Sequence, residues 1–157
     1  MKVFYGFFIV LFLSACGSDS KNISNNTKED VVADVKEVTV QGQEGNYTFS
    51  VTLKSDDKGC NQYANWWEVL NADGELVYRR VLGHSHTNEQ PFERSGGPVS
   101  IQEDDILFIR AHMHPQGYSG DVFKGSVDKG FSKIEIPPAF SQAIEMRSLC
   151  LVGVLFK

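Results

Sequence analysis

A strict alternation of apolar and polar side chains is the feature that most constrains what this chain can fold into. In residues 47–53 every second side chain is apolar, and the residues between them are threonine and serine. Residues two apart in an extended strand point to the same side, so one side of this segment is apolar and the other is polar. The pattern predicts an antiparallel strand with one face on a core and the other in water.

Further short segments of the same kind follow along the chain. Asp73-Gly74 separates the apolar segments 64–70 and 75–82 and predicts a β-hairpin, because glycine accepts a positive φ without steric cost. The remaining predicted strands are residues 104–114, 131–136 and 149–156.

Glycine and proline predict where the strands are interrupted. We expect Ser95-Gly96-Gly97-Pro98 to break the chain, residues 115–120 to form a loop and residues 139–146 to make a short helical turn. No long amphipathic helix is evident in the sequence. Short strands with frequent turns predict an all-β protein with an antiparallel β-sandwich fold, and a small β-barrel or a cupin-like fold is the alternative.

The first 16 residues have the layout of a secretory signal. Lys2 precedes an apolar run over residues 3–13, and small residues follow it. A membrane-spanning helix needs about 20 apolar residues, so this run is too short to be one. We therefore expect residues 1–15 to be a signal peptide.

The end of this run, Leu13-Ser14-Ala15-Cys16, resembles the lipobox of bacterial lipoproteins. The resemblance implies that cleavage leaves Cys16 as the first residue and that Cys16 carries acyl chains such as palmitate, which anchor the protein to a membrane. Because Gly17 follows Cys16 where aspartate would signal retention, the resemblance also implies the outer membrane of a Gram-negative bacterium.

The rest of the chain divides into a tether and one domain. Residues 16–35 are rich in polar residues and lack aromatic ones, so they are interpreted as the lipid anchor and a flexible tether. Residues 36–157 have the length of a single domain. The chain has 20 acidic and 15 basic residues, and this balance argues against binding to nucleic acid.

Two cysteines remain when Cys16 is assigned to the lipid. Export places Cys60 and Cys150 in an oxidising compartment, so we predict a disulfide between them. The chain-entropy model gives about 4–5 kcal/mol for a cross-link over such a distance. A metal site made of the two thiolates is the alternative.

All four histidines occur in two His-x-His pairs, His84 with His86 and His112 with His114. On a strand each pair would place two imidazoles on one face, and neighbouring strands would let all four converge on one copper or zinc ion. The alternatives are that one pair binds a metal ion together with a carboxylate, or that the histidines are polar strand residues that bind no metal.

The segment His84-Ser85-His86-Thr87-Asn88-Glu89, with the later Gly96, resembles part of the cupin metal motif. Only two residues separate His86 from Glu89, which is fewer than the motif has, and the second motif lacks its expected histidine.

Other residues could form a surface for a ligand or a protein partner. Trp66 and Trp67 are adjacent, so on a strand one faces the core and the other the opposite side, where it could stack on a sugar. Glu89 and Arg110 are further candidates for this surface. The alternative is that both tryptophans are buried.

These features favour a binding protein over an enzyme. No nucleophile elbow, phosphate-binding loop or zinc-ribbon pattern is present in the sequence. The segment 60–99 resembles bacterial envelope proteins without an assigned activity. We therefore expect a lipid-anchored envelope protein that binds a partner or small molecule non-catalytically, with residues 84–98 and 114–121 as the presenting loops. A copper or zinc carrier or metalloenzyme is the alternative.

Overall fold

The structure is a computed structural model that describes residues 31–135. This range is built from β-strands: β1 Ala33–Gln43, β2 Asn46–Ser55, β3 Tyr63–Leu70, β4 Leu76–Val81, β5 Phe92–Val99, β6 Leu107–His114, β7 Val122–Ser126 and β8 Gly130–Ile134. Within it, no helix is long and apolar enough to cross a membrane. The signal peptide, Cys16, most of the tether, the helical turn, the last predicted strand and Cys150 lie outside the described residues.

The strands form two antiparallel sheets. The small sheet has the order β1-β2-β5, and the large sheet has the order β4-β3-β6-β7-β8. Phe49 and Leu53 of the small sheet belong to the same buried cluster as Trp67, Ile109 and Met113 of the large sheet. The sheets do not close into a barrel, so the predicted β-sandwich is confirmed and the barrel alternative is wrong.

The alternation in β2 produces the predicted burial. The four apolar side chains at positions 47, 49, 51 and 53 are all at most 5% exposed. The predicted hairpin also forms, since β3 pairs antiparallel with β4. Gly74 has a φ of 76°, and the side-chain oxygen of Asn71 accepts hydrogen bonds from the backbone nitrogens of Asp73 and Glu75, at 3.0 and 2.9 Å.

The predicted break at residues 95–98 is wrong, because β5 runs through it. This strand is an edge of the small sheet and pairs only with β2 among the described strands, and an edge tolerates a proline that cannot donate to a neighbour. Glycine at position 96 serves packing, since a Cβ atom there would lie 2.7 Å from Tyr78 Oη. The predicted loop 84–98 is therefore loop only as far as residue 91.

The first strand begins inside the segment predicted as tether. Ala33 and Val35 are 1% and 0% exposed and pack in the core, and the charged residues Asp34 and Lys36 follow each of them in the sequence. Two buried side chains in alternation are enough to start β1 before residue 36.

Candidate functional site

Strand alternation divides the two adjacent tryptophans between the faces of the large sheet. Trp67 is completely buried in the core, so Trp66 is the tryptophan on the opposite side of the sheet. The side of the large sheet that faces away from the core is called the outer face below. Trp66 and Glu68 of β3 lie there beside Arg110 and His112 of β6.

Trp66 lies between a cation and a histidine ring. Its ring stacks on His112 with centroids 4.0 Å apart and planes inclined by 15°, and the Arg79 guanidinium carbon is 4.6 Å from its centroid. Because β4 and β6 flank β3 on opposite sides, these neighbours occupy the two faces of the indole. Trp66 Nε1 also donates to Tyr118 Oη at 3.0 Å. The indole is therefore a packed part of the face and has no free side for the sugar stacking that the sequence suggested.

A buried carboxylate joins two arginines beneath this stack. Glu68 is 0% exposed; its Oε2 accepts from Arg79 Nε and Nη2 at 2.9 and 2.7 Å, and its Oε1 accepts from Arg110 Nε at 2.8 Å. Arg110 is 4% exposed, and its guanidinium carbon lies 3.6 Å from the centroid of the Tyr118 ring. The pairing supplies the partners that a carboxylate needs when it is removed from water.

A cavity of about 410 Å³ opens beside Arg110, between the loop after β6 and the start of β7 and end of β8. We name it the Arg110 cavity; among its lining residues are Arg110, Tyr118, Asp121, Val122, Lys133 and Ile134. Burial raises the pKa of Asp121, but hydrogen bonds from Lys133 and Lys36 outweigh it and leave this pKa below its ordinary value. The cavity thus combines fixed charges with apolar walls, as small-molecule sites do.

His112 is held neutral on the outer face. Its Nδ1 donates to the Asn65 side-chain oxygen at 2.6 Å, which fixes the hydrogen on Nδ1. Burial lowers the pKa of His112 from 6.5 to about 4, although the charge of Glu68 opposes the shift. The imidazole is therefore uncharged at neutral pH and can stack closely on the indole.

Replacing His112 by Phe should make stability less dependent on pH. With the folded pKa near 4 and the ordinary value at 6.5, the unfolded chain binds this proton more readily, so His112 reduces stability as the pH falls from 6.5 towards 4. Urea unfolding at pH 5 and 7.5 should show a smaller difference for His112→Phe than for the unmodified chain. The exposed His114 is the matched control, and an equal loss of pH dependence in His114→Phe would contradict the assignment.

A second polar group, which shares no hydrogen bond with Glu68 and its two arginines, anchors the loop between β4 and β5. Asp57 is buried; its Oδ1 accepts from Ser55 Oγ and Ala64 N at 2.7 and 2.8 Å, and its Oδ2 accepts from His86 N at 2.7 Å. The His86 ring stacks on Phe92 with centroids 3.9 Å apart, and burial is the main cause that lowers its pKa. His86 therefore serves as a packed anchor of this loop.

The structure does not bring the two His-x-His pairs together. His84 and His86 lie after β4 has ended at Val81, with ring centroids 4.5 Å apart, whereas His112 and His114 are on β6. Across residues 31–135, no three histidine, cysteine, aspartate or glutamate side chains form a group that could hold a metal ion. Copper or zinc binding by either pair thus stays a prediction, without a third ligand from this part of the chain.

The other predicted residues have different surroundings. Glu89 is exposed and its Oε2 accepts from Arg94 Nη2 at 2.7 Å, so it belongs with the loop of His86 and not with the outer face. Cys60 is exposed and forms no disulfide within the described range. Its pairing with Cys150, which lies beyond that range, stays a prediction.

Sequence reasoning missed Glu68, Tyr118 and Asp57. Glu68 could have been identified from the sequence, because it is an acidic residue inside an otherwise apolar segment between Trp66 and Leu70. Such a residue needs a cationic partner when it is buried. Nothing comparable marks Asp57, which follows another aspartate in a polar turn.

Comparison with known proteins gives one partial similarity. The chain is 34% identical, over 102 residues, to a protein of the archaeon Halomicrobium mukohataei that is provisionally named a lipoprotein. The matched part is 64% of this chain and 50% of that protein, so the chain spans about half the length of this relative. No family model and no solved structure matches the chain. An archaeal relative gives no support for the predicted outer membrane of a Gram-negative bacterium.

Proposed function

We propose that this chain is an exported, lipid-anchored envelope protein whose β-sandwich binds a small molecule non-catalytically in the Arg110 cavity. The signal layout of residues 1–16 supports the anchor, and so does the similarity to a protein named as a lipoprotein.

The observation that carries the binding role is the burial of Arg110 at the wall of the cavity. Holding Arg110 and Glu68 out of water is costly, and apolar residues of similar size would often stabilise a fold as well or better. Glu68 of the large sheet and Tyr118 of the loop after β6 nevertheless hold Arg110 in place. A rigidly placed cation at a cavity wall is the arrangement expected of a binding site supported by a second layer of contacts.

The described cluster offers positioning groups and no nucleophile activated by a base. Arg79, Glu68 and Arg110 are ion-paired, and His112 donates to an amide oxygen. Its contacts therefore favour binding over chemistry on the bound molecule.

Changing Cys16 to Ser should release the protein from the membrane. Lipid chains on Cys16 would give durable attachment, so the unmodified chain should sediment with membranes and incorporate labelled palmitate. The Cys16→Ser chain should appear in the soluble exported fraction without label, and Cys60→Ser is the matched control that should remain attached. Sedimentation of Cys16→Ser with the membranes would contradict the anchor.

The copper or zinc alternative has one supporting contact, the neighbouring rings of His84 and His86. Metal titration of the full chain beside a His84→Ala/His112→Ala variant tests it. Tight binding of about one ion per chain that the variant loses would favour metal binding, and no binding by either chain would eliminate it.

A further inference from the structure

The guanidinium of Arg110 is engaged along one edge. Its Nε donates to Glu68 Oε1, and its Nη2 lies 2.7 Å from the same oxygen in ion-pair contact but without a hydrogen bond. Among the described residues, none accepts a hydrogen bond from Nη1. A guanidinium carries five N–H donors in a planar fork; Nη2 is buried, so Nη1 is the donor group left for a molecule in the cavity.

The anionic residues that line the cavity do not pair with Arg110 Nη1. Asp121 is ion-paired with Lys133 at 2.7 Å and Lys36 at 3.1 Å, and Glu135 is exposed at the cavity rim. Neither is ion-paired with Arg110 in the described part of the chain. Glu68 is shared between two guanidinium groups, so these three side chains together carry one positive charge.

We propose that the Arg110 cavity binds the carboxylate of a small organic acid with an apolar body. This inference rests on the proposed function and names the chemical class of its ligand. A carboxylate oxygen accepts from Nη1, a pairing that gives a short charge-assisted hydrogen bond. The body of the acid then lies against Tyr118, Val122 and Ile134, which line the same cavity.

A carboxylate fits better than a phosphate. The cavity offers one guanidinium nitrogen without an acceptor, Arg110 Nη1, while Asp121 and Glu135 also line it and would repel a second negative charge. A cavity of about 410 Å³ has the size of a site for a small organic molecule.

Calorimetric titration of the detergent-solubilised full chain with benzoate and its neutral analogue benzamide tests the proposal. A charge-assisted pair should make benzoate bind about 10-fold or more tightly than benzamide. Arg110→Lys keeps the charge but loses the Nη1 donor, and should weaken benzoate binding by about 10-fold.

A second variant leaves the ion pairs untouched. Ser119 is exposed and lines the cavity, so Ser119→Trp should obstruct it and abolish benzoate binding. Gln102 is exposed outside the cavity lining, and Gln102→Trp should bind benzoate as the unmodified chain does.

These experiments test the chemical class of the ligand and the location of the binding site separately. Equal binding of benzoate and benzamide that Ser119→Trp abolishes would overturn the carboxylate and leave the proposed function standing. Benzoate binding that survives Ser119→Trp would overturn both. The absence of benzoate binding up to about 10 mM would overturn the carboxylate assignment, because even a weak specific contact is measurable there.

Discussion

Replacing Glu68 by Gln will lower the free energy of unfolding by about 3–5 kcal/mol, the range for removing one partner of a buried ion pair. Glu68 is completely buried, and Arg110 is 4% exposed. The neutral amide keeps the shape of the side chain but leaves Arg110 without its neutralising charge, away from water. Urea unfolding followed by tryptophan fluorescence measures the change.

The exposed Glu93 on β5 provides the control for this substitution. Glu93→Gln should change the free energy of unfolding by no more than about 0.5 kcal/mol, as is usual for surface positions. A Glu68→Gln chain as stable as the Glu93→Gln chain would show that Glu68 does not hold the two arginines in place.

Replacing Asp57 by Ala will lower the free energy of unfolding by about 3 kcal/mol, because hydrogen bonds to a charged group each contribute about 1.5–3 kcal/mol. The substitution leaves the backbone nitrogens of Ala64 and His86 without their acceptor. The loop between β4 and β5 should then open more readily, and limited proteolysis should cut it sooner than in the unmodified chain.

Asp104 is an exposed aspartate in a different turn, and Asp104→Ala should leave both stability and the rate of cleavage nearly unchanged. If Asp57→Ala lost no stability, or if cleavage occurred elsewhere, the loop would not depend on Asp57.

A strand or turn could be predicted where residues close together in the sequence determine it. The alternation in residues 47–53 and the Asp73-Gly74 turn depend on neighbours in sequence, and both predictions are confirmed. The course of β5 was not predictable in this way. Its glycines and proline are compatible with a strand only because it lies at an edge and because Gly96 faces Tyr78, which are consequences of tertiary structure.

The candidate site was predictable only in part for the same reason. Arg110 and Trp66 were identified from the alternation of side chains along their strands. Their neighbours Glu68, Arg79 and Tyr118 come from three separate segments. Their contacts depend on the register of β3 against β4 and β6. The His-x-His spacing suggested convergence, yet β4 ends before His84, so the first pair is not on the strand that the prediction required.

The most direct test of the binding role is native mass spectrometry of the full chain, released from its own membranes in mild detergent, beside the Ser119→Trp chain. We expect the unmodified chain to carry a non-covalently bound small molecule whose mass does not change on incubation, and the Ser119→Trp chain to lack it. Identical spectra for the two chains, or conversion of the bound molecule into a product, would contradict non-catalytic binding in the Arg110 cavity.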